Sequence, residues 1–373
     1  MEETRKPVQL LKKAVKVLGQ PLIATLLGLL VGLIVIIIAG ENPFFVYAQM
    51  FEKSFFNVYY LMQTLTRSAP IIVCSIAIII AWRAGYINLG VEGQMIVGAL
   101  VATATAIYVP GPTPVVLFLA IILGMAAGAL YALFAAYIYS KFEVSIVIST
   151  LMMNYIATYI SSYFVTFPLR DQSGTLSIQT REIPKSMRFL RIFEGHTFNI
   201  GFFLAIFIVL LVLFIIKKTS FGYESKMTGL NRVFAEYGGI KKNSVMLKTM
   251  ALSGAVAAFA GIIEIFGLKY RFVDNMFGST SYAWTGLMAA LISNLHPVGA
   301  LFTSIFLSGL QVGGQAIQRT TNIPLQVATL IQTTITLFVS VQLIIRFKKH
   351  KRDKKTDVTT PCSPAKKAKA GDS

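Results

Sequence analysis

Three side chains able to hydrogen-bond a solute, Asn88, Glu92 and Gln94, fall within one glycine-broken stretch, RAGYINLGVEGQ at residues 83–94, set in otherwise apolar sequence. They carry amide and carboxylate chemistry, suited to binding rather than bond breaking. Non-helical backbone and polar side chains persist at membrane depth only where other protein or a water-filled cavity satisfies them. One reading is therefore the wall of a polar solute pathway. The other is a short cytoplasmic turn whose glycines reverse the chain. Glu92 also suits the N-terminus of the next span, where the helix dipole favours a carboxylate. Asn154, in a run with Ser145, Ser149 and Thr150, needs a partner too, either an interhelical hydrogen bond or a solute.

Catalytic chemistry has little to build on. There is no Gly-x-x-x-x-Gly-Lys-Ser/Thr loop for nucleotide hydrolysis. His196, His296 and His350 are scattered, and Cys74 and Cys362 give neither a disulfide framework nor metal-ligand spacing. Acidic residues in or beside apolar runs are few, mainly Glu92 and Glu264, which is sparse for an ion-coupled relay.

The elements that must position these residues are membrane spans. The chain has 373 residues, 55% hydrophobic and 13% charged, with mean hydropathy +0.67, and its apolar runs match a hydrocarbon core of about 30 Å. A formal charge of +18 would suggest nucleic acid in a soluble protein. Here the basic residues bracket apolar runs, so the positive-inside bias accounts for them and no nucleic acid is implied. Spans are expected at about 21–40, 64–82, 94–109, 115–139, 144–168, 200–216, 250–268, 282–294, 298–318 and 324–345, the eighth being short. Residues 1–20 are read as a cytoplasmic segment. The first span is retained rather than cleaved, since it exceeds a signal h-region of about 7–15 residues. Arg67, near the start of the second span, is read as snorkelling to the interface, and the small residues Gly124, Ala126, Ala127, Gly128 and Ala129 predict close helix contact in the fourth. Residues 169–199 form an outer loop, and the basic segment 219–248 lies inside with both termini. The tail, 346–373, is lysine-rich, and its composition predicts a disordered cytoplasmic segment that meets anionic lipid.

Within residues 219–248, a short helix-compatible run ends at Gly238-Gly239. Held between two spans, it suits lodging in a partner's groove as a lever. An amphipathic interfacial linker is the other reading.

The order of AGYINLGVEGQ (84–94), EVSIVISTLMMNY (143–155), TSFGYE (219–224) with YGGI (237–240), LSGAVAAFAG (252–261) and HPVGA (296–300) resembles the permease subunits of bacterial ABC importers. It is similar to the branch that handles nucleosides and simple sugars, related to branched-chain amino acid and ribose permeases. The likeness covers about residues 64–345 and departs at Gly238-Gly239, where relatives often have Ala-Gly, and in the basic tail. It implies an all-α polytopic membrane protein of about ten transmembrane helices, of the type II ABC importer kind, in the cell membrane. It also implies a second permease subunit, identical or homologous, and an extracytoplasmic substrate-binding protein or lipoprotein. A cytoplasmic ABC ATPase would hold the ATP and magnesium, leaving this chain with no cofactor and no enzymatic activity.

On that resemblance, the coupling residues are Glu224, Gly229, Asn231, Arg232, Glu236 and Gly238. A nucleoside path would combine Asn88, Glu92, Gln94 and Asn154 with Trp284 as a stacking surface. The alternatives are an ABC permease for a sugar such as ribose or galactose, an ion-coupled secondary carrier and a structural scaffold. Whether residues 83–94 or 282–294 are re-entrant is left to the structure.

Overall fold

The computed structural model describes residues 26–318, except 28, 35, 39 and 174–176, together with positions 326, 330, 333 and 334. The N-terminal segment 1–20, the tail 346–373 and most of the expected tenth span lie outside these residues. The described chain is helical, and its only strand-like features are isolated bridges at Arg170–Thr180, Gln179–Val273 and Arg191–Asn199.

Twelve α-helices follow one another from residue 43 onward among the described residues: α1 (Pro43–Phe51), α2 (Val58–Arg83), α3 (Val91–Tyr108), α4 (Thr113–Phe142), α5 (Ile146–Thr166), α6 (Gly201–Lys218), α7 (Ser220–Leu230), α8 (Arg232–Tyr237), α9 (Lys242–Glu264), α10 (Met276–Thr280), α11 (Tyr282–Ile292) and α12 (Pro297–Gln318). Residues 26–38 are also helical where described. Among the described residues, six helices, α2, α3, α4, α6, α9 with its continuation to Lys269, and α12, are long and apolar enough to cross a membrane. The expected count of about ten is thus only roughly matched. The fifth expected span is present as α5 but is diluted by tyrosine, serine and threonine, and the eighth, α11, has 11 residues.

Two spans start earlier than hydropathy alone predicts, at Val58 rather than 64 and at Lys242 rather than 250. The polar residues ahead of each apolar run keep helical hydrogen bonding and so join the helix. Helix α2 is the central post, with Ile71, Ile72, Ile76 and Ile79 fully buried. Of the small residues of α4, Gly124 and Gly128 bring backbones together, whereas Ala126 is exposed. A Cβ on Gly124 would lie 2.8 Å from the Gly98 carbonyl of α3, and one on Gly128 would lie 2.7 Å from the Gly254 carbonyl of α9. No larger side chain fits without displacing backbone.

The bundle has two distinct ends. One carries the 167–200 connection, where Glu182 accepts from Arg188 at 2.7 Å and also pairs with Arg271. The Arg188 guanidinium lies 4.5 Å from the Tyr270 ring centroid. The other end carries α7 and α8.

Candidate functional site

Helix α2 ends in a Schellman turn. Tyr86 N–H donates to the Ala81 carbonyl at 3.1 Å and Gly85 N–H to Trp82 at 3.0 Å. Gly85 takes φ +82°, a left-handed conformation that glycine adopts without the Cβ penalty. The chain then runs without helical structure through Tyr86, Ile87, Asn88 and Leu89 and re-enters the bundle, where α3 begins at Val91. This break exposes backbone groups that the helices cannot satisfy.

Side chains satisfy them instead. Asn154 donates to the Leu89 carbonyl and accepts from Gly93 N–H, both at 2.8 Å. Thr150 accepts from Leu89 N–H at 3.2 Å. Asn88 accepts from Gly90 N–H at 2.9 Å and pairs reciprocally with the Gln94 amide at 3.0 and 3.1 Å. It also donates to Ser253 of α9 at 2.9 Å, which donates onward to the Ala77 carbonyl of α2 at 2.7 Å. Asn88, Gln94 and Asn154 are buried. Their polar atoms hold α2, α3, α5 and α9 around the break.

Glu92 and Trp284 are placed differently. Glu92 sits in the first turn of α3, beside Trp284 of α11. Both line a small cavity with Ile78, Asn88, Leu89 and Ala283. Trp284 is 41% exposed. Of the five expected pathway residues, Asn88, Glu92 and Trp284 line this cavity, while Gln94 and Asn154 contribute hydrogen bonds around the break.

The segment expected to couple to a partner packs directly on the same break. Arg232 donates to the Gly85 carbonyl at 2.6 Å and its guanidinium lies 4.8 Å from the Tyr86 ring centroid. A Cβ on Gly229 would collide with the Arg83 carbonyl. Gly229 therefore permits contact within this chain, which differs from the expectation that it faces a partner's groove. Asn231 caps α8 by accepting from Phe234 N–H at 3.1 Å. Glu236 pairs with Lys242 at 2.8 Å. Gly238 and Gly239 close α8 in a second Schellman turn, with Ile240 N–H on the Ala235 carbonyl at 3.0 Å. Glu224 offers its backbone carbonyl to Thr228 at 2.8 Å.

Sequence reasoning picked these polar residues and passed over their apolar neighbours. Leu230, Val233, Phe234 and Tyr237 are 61–88% exposed, an apolar surface at the tip of the α7–α8 unit. Their spacing, 230, 233, 234 and 237, was available as the signal. Arg67 lies within α2, nine residues after its start at Val58, and lines a cavity.

The family described as branched-chain amino acid transport system / permease component matches residues 60–341. The chain belongs to this family. The permease is 31% identical to the guanosine ABC transporter permease protein NupP of Bacillus subtilis, over 90% of this chain and 96% of the relative. It is 29% identical to the nucleoside ABC transporter permease protein NupB of Lactococcus lactis, over 87% and 91%. The glucose ABC transporter permease protein TsgB13 of Haloferax volcanii is 27% identical, with 86% of each chain covered. The permease is thus a multi-pass membrane subunit of an ABC system, as its resemblance at the sequence level implied.

Proposed function

We propose that this permease forms part of the translocation path for nucleosides in an ATP-driven importer. The observation that carries the reading is the end-to-end likeness to a guanosine permease and a nucleoside permease, each matched over more than nine-tenths of its own length. In this reading, α7 and α8 face the cytoplasm and the 167–200 connection faces an extracytoplasmic binding protein. Leu230, Val233, Phe234 and Tyr237 insert into a groove on an ABC ATPase, which holds ATP and magnesium. A second permease subunit completes the path; the weaker likeness to NupC and NupQ, also permeases of nucleoside and guanosine systems, supports a heteromeric pair.

The geometry supplies a coupling route. Movement of α7–α8 reaches the Gly85 carbonyl through Arg232, and the Asn88 and Asn154 contacts spread it to α3, α5 and α9. Glu92 and Trp284 then change their presentation to solute, one by polar contact and the other by stacking.

The likeness to the glucose permease favours a second reading, a sugar path. Uptake of labelled guanosine, uridine and glucose by cells with and without this chain separates the two. Chain-dependent nucleoside uptake that stops on ATP depletion and survives collapse of ion gradients is expected. Chain-dependent glucose uptake alone supports the sugar reading, and gradient dependence supports a secondary carrier.

A further inference from the structure

A second cavity, of about 150 Å³, lies toward the end of the bundle that carries the 167–200 connection. Helix α2 contributes Tyr60, Gln63 and Arg67, spaced by three and seven residues and hence on one face. Helix α12 contributes Val312, Gln315 and Ala316, and Thr197 and Leu268 close the sides. Arg67, Gln63 and Gln315 make no side-chain hydrogen bond or ion pair among the described residues. Arg67 feels the buried Glu264 carboxylate electrostatically without bonding to it. Unpartnered donors in a walled cavity are what a ligand with matching acceptors would satisfy.

The residue types narrow the ligand. A guanidinium presents a planar fork of donors. Among nucleosides, its match is a 6-oxopurine, whose O6 and N7 are adjacent acceptors, whereas adenine sets an amino donor beside N7. The two glutamine amides, each donor and acceptor, suit ribose hydroxyls or the remaining base edge. Tyr60 offers a ring face for the base.

We propose that this cavity is an entry subsite for 6-oxopurine nucleosides, with Arg67 reading O6 and N7; this rests on the nucleoside reading above. Ile78, which lines the Glu92–Trp284 cavity, lies eleven residues further along α2, or about 16 Å at helical rise. The two cavities are successive stations on one post, the first selecting the base and the second passing it on.

The test is uptake of labelled inosine and adenosine, with 7-deazainosine as competitor, in cells expressing the chain with its native partners. Arg67→Met, Gln63→Ala and Gln315→Ala are compared, normalised to protein in the membrane. The wild type should favour inosine over adenosine and 7-deazainosine by roughly tenfold or more. Arg67→Met should raise KM for inosine and abolish that preference. An unaltered preference in Arg67→Met overturns the subsite while leaving the nucleoside reading intact. Absence of chain-dependent nucleoside uptake in the wild type overturns the nucleoside reading itself. If loss of the charge beside Glu264 keeps Arg67→Met out of the membrane, the glutamine variants decide. A higher inosine KM in either supports the subsite, and wild-type kinetics in both overturn it.

Discussion

The Arg232 guanidinium is bonded to the Gly85 carbonyl at 2.6 Å and faces the Tyr86 ring at 4.8 Å, bridging 147 residues of sequence. Two weak sequence signals, a glycine-broken stretch and a charged linker, thus meet in one contact. In the proposed reading this contact joins the ATPase-facing unit to the solute-facing frame. Arg232→Ala should remove a charge-assisted hydrogen bond and a cation–π contact, together about 2–3 kcal/mol. In reconstituted complex, transport should fall about tenfold or more while ATP hydrolysis continues. Transport that keeps pace with hydrolysis would show that the contact carries no force.

Gly229 and the apolar tip should fail in different ways. Gly229→Val meets the Arg83 carbonyl and should lower thermal stability of the solubilised permease, overpacking costing about 1–3 kcal/mol. Phe234→Asp, at an exposed site, should leave the melting temperature unchanged and abolish co-purification with the ATPase. Retained co-purification would place the docking surface elsewhere.

Asn88→Ala should act on the frame. It strands the Gln94 amide and the Gly90 N–H in a buried site, each orphan costing about 1–3 kcal/mol, so protein in the membrane should fall while preference among nucleosides holds. Trp284→Ala should reverse this pattern, with normal amounts and altered preference. Competition uptake, normalised by immunoblot, checks both. A changed preference in Asn88→Ala would return that residue to the path.

Sidedness is tested by single cysteines at Lys226 and Ser177, both exposed, in a background lacking Cys74 and Cys362. An impermeant thiol reagent added to intact cells should label position 177 only. Labelling of 226 alone would invert the topology.

The Arg188 guanidinium, and then Arg271, hold the Glu182 carboxyl below its ordinary value of 4.5. A depressed carboxylate stabilises the fold fully above that value and loses its contribution as pH falls through the lowered one. Glu182→Gln should therefore be less stable than wild type at neutral pH, by about 0.2–1 kcal/mol for an exposed pair. The difference should vanish in acid. Melting temperatures of both proteins across pH 3–7 provide the check, and a gap that widens in acid would contradict it.

Much of this architecture was legible because lipid imposes a simple grammar. Apolar length gave six of the spans, Gly238-Gly239 gave a helix stop, and Gly124 and Gly128 gave close contacts. The roles of Asn88, Gln94 and Asn154 were not, because an amide facing a solute and an amide facing stranded backbone read alike in one dimension. Only the non-helical course of residues 86–89 shows which groups lack partners. Hydropathy places Arg67 near the start of a span, whereas α2 begins at Val58, nine residues before it.

Helices α3, α4 and α9 touch backbone to backbone through Gly98, Gly124, Gly128 and Gly254. Such a seam has no side-chain rotamers to absorb a shift, so sliding one helix along another means a collision within a fraction of an ångström. The three must travel as a single body. A cycle that opens and closes a path then has few degrees of freedom left: the whole block tilts, and the compliance sits at its margins, where side chains rather than bare backbones meet. A methyl group added at Gly128 would meet the Ala258 side chain and the Gly254 carbonyl, wedge α4 away from α9 and break up the block itself.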